Sequence, residues 1–206
     1  MIITLTGPSC AGKSTLEKAL KAKGFAGAIS TTTRPRREGE KSGEAYYFVE
    51  RCMFEEQMLM NKFIEAIEFS GNMYGVEVRE VESLLAQGKP VVIVCEPTGQ
   101  KQIAAYCVER GWSTRAVFVN NPTSVITERF LDRFMSEASF ATDDEAGRLL
   151  SIYSSRLATM MTVERRWIAE AYGSDVYDIV LDAFDSDSRD TVVQMIIDSI
   201  SDSEAA

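Results

Sequence analysis

The sequence predicts an α/β fold, a three-layer sandwich around a five-stranded parallel sheet, and three observations predict it. Short apolar runs rich in β-branched residues recur along the chain, helix-like segments lie between most of them, and the runs are apolar throughout instead of alternating. A strand without a polar face must be covered on both sides, which helical crossovers in a parallel sheet provide. The runs are MIITLT at 1–6, AGAIS at 26–30, VVIVC at 91–95, RAVFV at 115–119 and YDIVL at 177–181. With 206 residues, 45% hydrophobic and 26% charged, the chain suffices for one core, so a single domain over 1–206 is expected.

The first run leads into GPSCAGKST at 7–15 and then the helix-forming TLEKALKAKG. Gly7, four further residues, then Gly12, Lys13 and Ser14 match the pattern G-x-x-x-x-G-K-[ST]. Glycines let the backbone turn tightly and aim successive N–H groups at one anion, and the helix that follows adds the positive end of its dipole. Gly7, Ser9, Ala11, Gly12, Lys13, Ser14 and Thr15 are therefore candidates for cradling the phosphates of a nucleotide. Lys13 would reach the β and γ phosphates, and the Ser14 hydroxyl would ligate Mg2+.

The interval 31–76 does not fit one crossover. It holds TTTRPRREGE, the strand-like YYFV at 46–49 and an apolar helix around 53–60, so an inserted lobe is expected there. Its Arg34, Arg36 and Arg37 are concentrated in an otherwise acidic chain, and forked guanidinium donors suit a phosphate monoester. A solvated loop partly neutralised by Glu38, Glu40 and Glu44 is the alternative. After the fourth run, Asn121, Pro122, Thr123 and Ser124 offer capping chemistry for a helix carrying Arg129 and Arg133 on one face. The segment 136–145 reads as a loop, and a long helix follows with Leu149, Tyr153, Leu157, Met160, Trp167 and Ala171 near one stripe. The tail at about 201–206 is polar and acidic, and disorder is expected.

Charge and composition narrow the chemistry. A net charge of −9 excludes broad nucleic-acid binding, so any phosphate must be gripped locally. There is no histidine, and Cys10, Cys52, Cys95 and Cys107 lie far apart, so neither a zinc site nor a disulfide framework is indicated. Without histidine, general-base chemistry falls to carboxylates and lysine; phosphoryl transfer tolerates this because positioning and charge stabilisation dominate it. No run approaches the roughly 18 apolar residues of a bilayer span, and the start lacks the basic flank of a secretion signal. A cytoplasmic protein without membrane or nucleic-acid partners is expected.

In wording, order and spacing, GPSCAGKST, STTTRPRREGEKSGEAYYFV and FIEAIEFSGNMYG at 63–75 are similar to the three N-terminal signatures of guanylate kinases. The resemblance implies a P-loop kinase fold: a core over 1–30 and 77–206, a monophosphate-binding lobe over about 31–76 and a lid over about 129–148. It implies ATP with Mg2+ as donor and a nucleoside monophosphate as acceptor, in a monomer or homodimer. Ser30, Arg34, Arg37, Tyr46, Glu65 and Tyr74 fall on the family's monophosphate-binding positions. Arg34, Arg37, Tyr46 and Tyr74 would hold the acceptor phosphate, Glu65 would accept from the Watson–Crick edge of guanine, and Ser30 would sit beside the guanine carbonyl. Arg129, Arg133 and Arg148 would neutralise the phosphoryl group in flight alongside Lys13.

The chain departs from the family's wording at four places. Val76 replaces a small hydroxyl residue that helps read the base, and Val94 and Glu96 stand where the family has two acids. Glu96 can still reach the base, whereas a valine cannot order a magnesium-bound water. Ala45 replaces an aspartate and Phe134 a glycine. The leading function is therefore phosphorylation of GMP or dGMP by MgATP. Another deoxynucleoside monophosphate or a ribose phosphate is the alternative acceptor. A non-catalytic interaction module resembling the guanylate-kinase-like domains of scaffold proteins is the third reading, and the intact phosphate loop weighs against it.

Overall fold

The computed structural model describes residues 1–37, 39–139, 141–185 and 187–204. Its elements in chain order begin with β1 (Ile2–Thr6), α1 (Lys13–Ala22), β2 (Ala26–Gly27), β3 (Thr31–Thr32), β4 (Tyr47–Phe48), α2 (Arg51–Leu59), β5 (Phe63–Phe69), β6 (Asn72–Glu77) and α3 (Val78–Leu85). They continue with β7 (Val91–Val94), α4 (Pro97–Arg110), β8 (Thr114–Val119), α5 (Thr123–Ala138), α6 (Asp143–Thr159), a π-helical turn (Met160–Glu164), α7 (Arg165–Tyr172), β9 (Ile179–Leu181) and α8 (Arg189–Glu204).

The five apolar runs supply the strands of one sheet in the order β2-β7-β1-β8-β9, with β1 at its centre. Pairing is parallel, from Ile2 opposite Val91 to Leu5 opposite Val94, and again between Val117 and Ile179. Every residue of β1 is buried, the two threonines included, as cover on both faces of a central parallel strand requires. By contacts the chain divides into two compact units, Met1–Thr6 with Glu17–Ala116 and Gly7–Leu16 with Val117–Ala206.

In the first unit a second sheet, ordered β4-β3-β6-β5, occupies the interval read as an inserted lobe. β4 and α2 lie where a strand and a helix were expected. The hairpin of β5 and β6 was not anticipated. Phe69 faces Asn72, and the two residues between them, Ser70 and Gly71, have φ of 49° and 75°. Two consecutive positive φ values mark a two-residue turn whose twist matches the strands it joins. Ile2, Ile64, Val76, Val81, Val91, Ile93, Cys95, Ile103 and Cys107 form one buried cluster in this unit. Each large aliphatic side chain buried in this way contributes roughly 1.5–3 kcal/mol. Cys10, Cys52, Cys95 and Cys107 are free thiols.

In the second unit three expectations need correction. Pro122, not a hydroxyl residue, precedes the first turn of α5, and among the described residues no side chain caps it. The stretch 136–145, read as a loop, is mostly helical, because α5 runs to Ala138 and α6 starts at Asp143. Thr142 and Glu145 form a reciprocal capping box, with the Thr142 N–H donating to Glu145 Oε2 at 2.9 Å, and this starts the new helix within a few residues. α8 runs from Arg189 through Glu204, while residues 205 and 206 lie outside the described ones, as do Glu38, Phe140 and Ser186. Ile126, Phe130, Tyr153 and Met160 form the cluster between α5 and the long helical stretch, with Phe134 and Leu149 against it. Leu157, read as part of that stripe, is exposed.

Candidate active site

The loop after β1 contains three positive φ values, at Gly7 (137°), Cys10 (61°) and Gly12 (104°). A Cβ on Gly7 would lie 2.0 Å from the Val119 carbonyl oxygen, and one on Gly12 would lie 2.8 Å from the Phe184 ring. Both positions exclude any side chain. Cys10 holds a left-handed conformation with a side chain present, a strain of about 1–2 kcal/mol. The N–H groups of Thr15 and Leu16 turn back to the Gly12 carbonyl, so α1 begins directly after the loop and leaves early N–H groups to a ligand. Lys13 Nζ donates to the carbonyls of Gly7 at 2.7 Å and Pro8 at 2.8 Å, and the side chains of Ser14 and Thr15 belong to exposed residues.

Side chains remote in sequence brace this loop. Ser9 donates its N–H to Glu164 Oε2 at 2.8 Å and its hydroxyl to Glu164 Oε1 at 2.7 Å. Asn121 Nδ2 donates to the Ala11 carbonyl at 2.7 Å and the Phe184 carbonyl at 3.1 Å, while its Oδ1 accepts the Phe184 N–H at 3.1 Å. Arg129 donates to the Cys10 carbonyl at 3.3 Å and the Phe184 carbonyl at 3.2 Å. Arg133 instead bonds Glu137 at 3.3 Å, one turn further along α5, and Arg148 is exposed on α6. Of the three lid arginines, then, Arg129 reaches the loop. Sequence reasoning missed Asn121 and Glu164 as loop partners, reading the first as part of a helix start. For Glu164 a signal existed: an acid stands in the buried line between Met160 and Ala171.

In the first unit Arg34, Arg37, Tyr46 and Tyr74 come together. Arg34 Nη2 forks onto Glu40 at 2.8 and 3.0 Å, and its guanidinium lies 5.3 Å from the centre of the Tyr46 ring, which itself lies 6.2 Å from that of Tyr74. The Arg37 N–H also donates to Glu40, at 2.8 Å. Burial works against both charges, yet the Glu40 carboxylate raises the Arg34 pKa and the two arginines lower that of Glu40. Burial also pushes the Tyr46 phenol up. A carboxylate thus occupies the fork that would take a phosphate.

Glu65 lies on β5 opposite Val76 and is 4% exposed. Among the described residues its Oε2 has no hydrogen-bond partner, and it stands 2.7 Å from where a Cβ on Gly99 would be, so a side chain there would have to displace it. Burial raises its pKa from the usual 4.5 to about 8, partly opposed by the Val76 N–H. Ser30 is partly buried just before β3, and Glu96, also partly buried, immediately precedes α4. Val76 is wholly buried in the apolar cluster with Ile64 and Val81. Among the described residues no group of three or more Cys, Asp or Glu is placed to hold a metal ion, and no helix is long and apolar enough to cross a membrane.

The family model described as guanylate kinase matches residues 1–182. A guanylate kinase of Nostoc sp. is 44% identical over 104 residues, which is 50% of this chain and 52% of that protein. One from Wolinella succinogenes is 43% identical over 124 residues, 59% of this chain and 56% of that protein. The chain therefore spans about half the length of these curated relatives. The crystal structure of guanylate kinase from Anaplasma phagocytophilum shares the fold, with a TM-score of 0.65 at 22% identity over 97% of this chain and 85% of that one.

Proposed function

The chain belongs to the guanylate kinase family, and from that premise we propose that it transfers the γ-phosphoryl group of ATP to GMP or dGMP, releasing ADP and the diphosphate. The observation that carries this reading is the phosphate loop. Its two glycines are sterically obligatory, its lysine is present, and it passes directly into a helix N-terminus. That site suits a polyphosphate. Gly7, Ala11, Gly12, Lys13 and Thr15 take the donor phosphates, with Lys13 leaving the Gly7 and Pro8 carbonyls to meet them, while Ser9 stays bonded to Glu164 and shapes the loop.

Mg2+ fits the exposed Ser14 hydroxyl together with the phosphate oxygens of ATP, while Val94 offers it nothing. When bound it neutralises phosphate charge. In the acceptor lobe, Arg34 and Arg37 exchange Glu40 for the monophosphate, with Tyr46 and Tyr74 donating beside them. An oxygen of that monophosphate attacks the γ-phosphorus, the bond from phosphorus to the β–γ bridging oxygen breaks, and ADP leaves. Arg129, Arg133 and Arg148 neutralise the group in flight, for which Arg129 releases the Cys10 and Phe184 carbonyls.

Glu65 supports guanine as the base. Its unpartnered Oε2 is a buried acceptor, and guanine presents adjacent N–H donors to such a group. Ser30 and Glu96 complete the base contacts. The burial of Val76 in the core favours weaker base discrimination than a hydroxyl there would give, and keeps another nucleoside monophosphate as the second reading. The enzyme works in the cytoplasm as a monomer or homodimer. A coupled ADP-release assay across nucleoside monophosphates and ribose phosphates tests the proposal. GMP or dGMP should give the highest kcat/KM; a pyrimidine nucleotide or ribose phosphate ahead of both would overturn the base assignment.

A further inference from the structure

We propose that Glu164 is a positioning residue of the phosphate loop, holding the loop in its nucleotide-binding shape through Ser9. The inference rests on the functional reading above and goes beyond it, because Glu164 belongs neither to the loop nor to the lid. Tyr153, Met160, Glu164 and Ala171 form the buried line of the long helical stretch, at 4, 8, 2 and 3% exposure. A hydrophobic side chain would satisfy packing at position 164, and a buried carboxylate is costly there unless its oxygens are used. Both are used, and by one residue. Oε2 takes the Ser9 N–H and Oε1 the Ser9 hydroxyl, at 2.8 and 2.7 Å, and among the described residues no Lys or Arg pairs with it.

The local backbone points the same way. Glu164 ends a π-helical turn, Met160–Glu164, set between two α-helices. Such a turn admits an extra residue and shifts the register of every side chain after it, and such turns gather at functional sites. A carboxylate beside a phosphate site also opposes the ligand's charge. What it supplies in return is order: Ser9 precedes Cys10, whose φ of 61° must be held by its surroundings. Glu164 is therefore expected to govern nucleotide affinity and to leave the acceptor untouched.

The test compares the full chain with Glu164→Leu, Glu164→Gln and Ser9→Ala by thermal melting, ADP titration and kinetics with both substrates varied. Leucine suits the apolar line, so Glu164→Leu should melt at or above the wild-type temperature. It should nonetheless bind ADP at least about tenfold more weakly and raise the KM for ATP to match, the scale of two lost charge-assisted bonds. The KM for the monophosphate should not move. Glutamine retains an acceptor and a donor for Ser9, so Glu164→Gln should recover part of the loss. A purely structural Glu164 would instead lower the active fraction, reducing apparent kcat with both KM values unchanged. That result, or wild-type ADP affinity in a folded Glu164→Leu, would overturn the proposal. If the leucine variant does not fold, wild-type ADP affinity in Ser9→Ala would overturn it. Wild type that binds ADP but phosphorylates nothing would sink the functional reading and leave this one standing; wild type that binds no ADP would sink both.

Discussion

Replacing Glu65 with glutamine should stabilise the ligand-free chain at neutral and alkaline pH while removing the proposed preference for guanine. The carboxyl is 4% exposed, one oxygen has no partner among the described residues, and burial lifts its pKa from 4.5 to about 8. A folded pKa above the unfolded one means that the native state keeps a proton the unfolded chain has released. That stabilisation is complete below about pH 4.5 and is lost progressively as pH rises through about 8. At 1.36 kcal/mol per pKa unit, the whole loss is on the order of 4–5 kcal/mol, an upper limit because the native state can relax around the charge. Glutamine cannot ionise, so Glu65→Gln should lack this slope. Urea denaturation of both proteins at about pH 5, 7 and 9 measures it. Parallel stability profiles would refute the reasoning. The same linkage reaches the ligand, because accepting two N–H donors requires the ionised form. GMP binding should release a proton and weaken by up to about tenfold per pH unit below about 8. Calorimetry in buffers of different ionisation enthalpy would detect that proton, and GMP affinity independent of pH would show that the carboxylate does not read the base.

The remaining predictions concern phosphate. Lys13→Ala should lower kcat at least about a thousandfold in a folded protein, because its ammonium is available both to the loop carbonyls and to the transferred charge; near-normal turnover would sink the kinase assignment. Arg34→Ala should raise the acceptor KM at least about tenfold with a smaller change in kcat, since it removes the fork that Glu40 occupies in the free chain; unchanged monophosphate affinity would move the acceptor site elsewhere.

How much of this could be read from the sequence depended on how local the cause was. The central strands were legible because burial on both faces writes an unbroken apolar run, and each of the five runs became a strand of the parallel sheet. The β5–β6 hairpin is less legible because its local signal, Ser70-Gly71, is a short turn word between two strands that carry polar residues on both sides. The loop expected at 136–145 failed for a related reason. Polar residues suggested irregular backbone, but Thr142 and Glu145 at capping-box spacing start a helix with those same polar groups.

At the site, the phosphate loop and the arginine–tyrosine cluster were legible because their chemistry lies in short contiguous words. Their partners were not: Glu164 lies 155 residues from Ser9 and Asn121 lies 110 from Ala11, and no local pattern encodes such pairings. Two departures from the family's wording now have a physical account. Phe134 stands where a glycine is usual and sets its ring 4.9 Å from that of Tyr153, bracing α5 against α6 at the expected lid. Val76 stands where a hydroxyl is usual and joins the buried cluster around Ile64 and Val81. Each replaces freedom or polarity with apolar contact. On the proposed reading, recognition of the base would fall more heavily on Glu65 without a hydroxyl at position 76, and burial opposes the Glu65 charge. Selectivity for guanine should then widen as pH rises through about 8, because only the ionised carboxylate prefers its two donors.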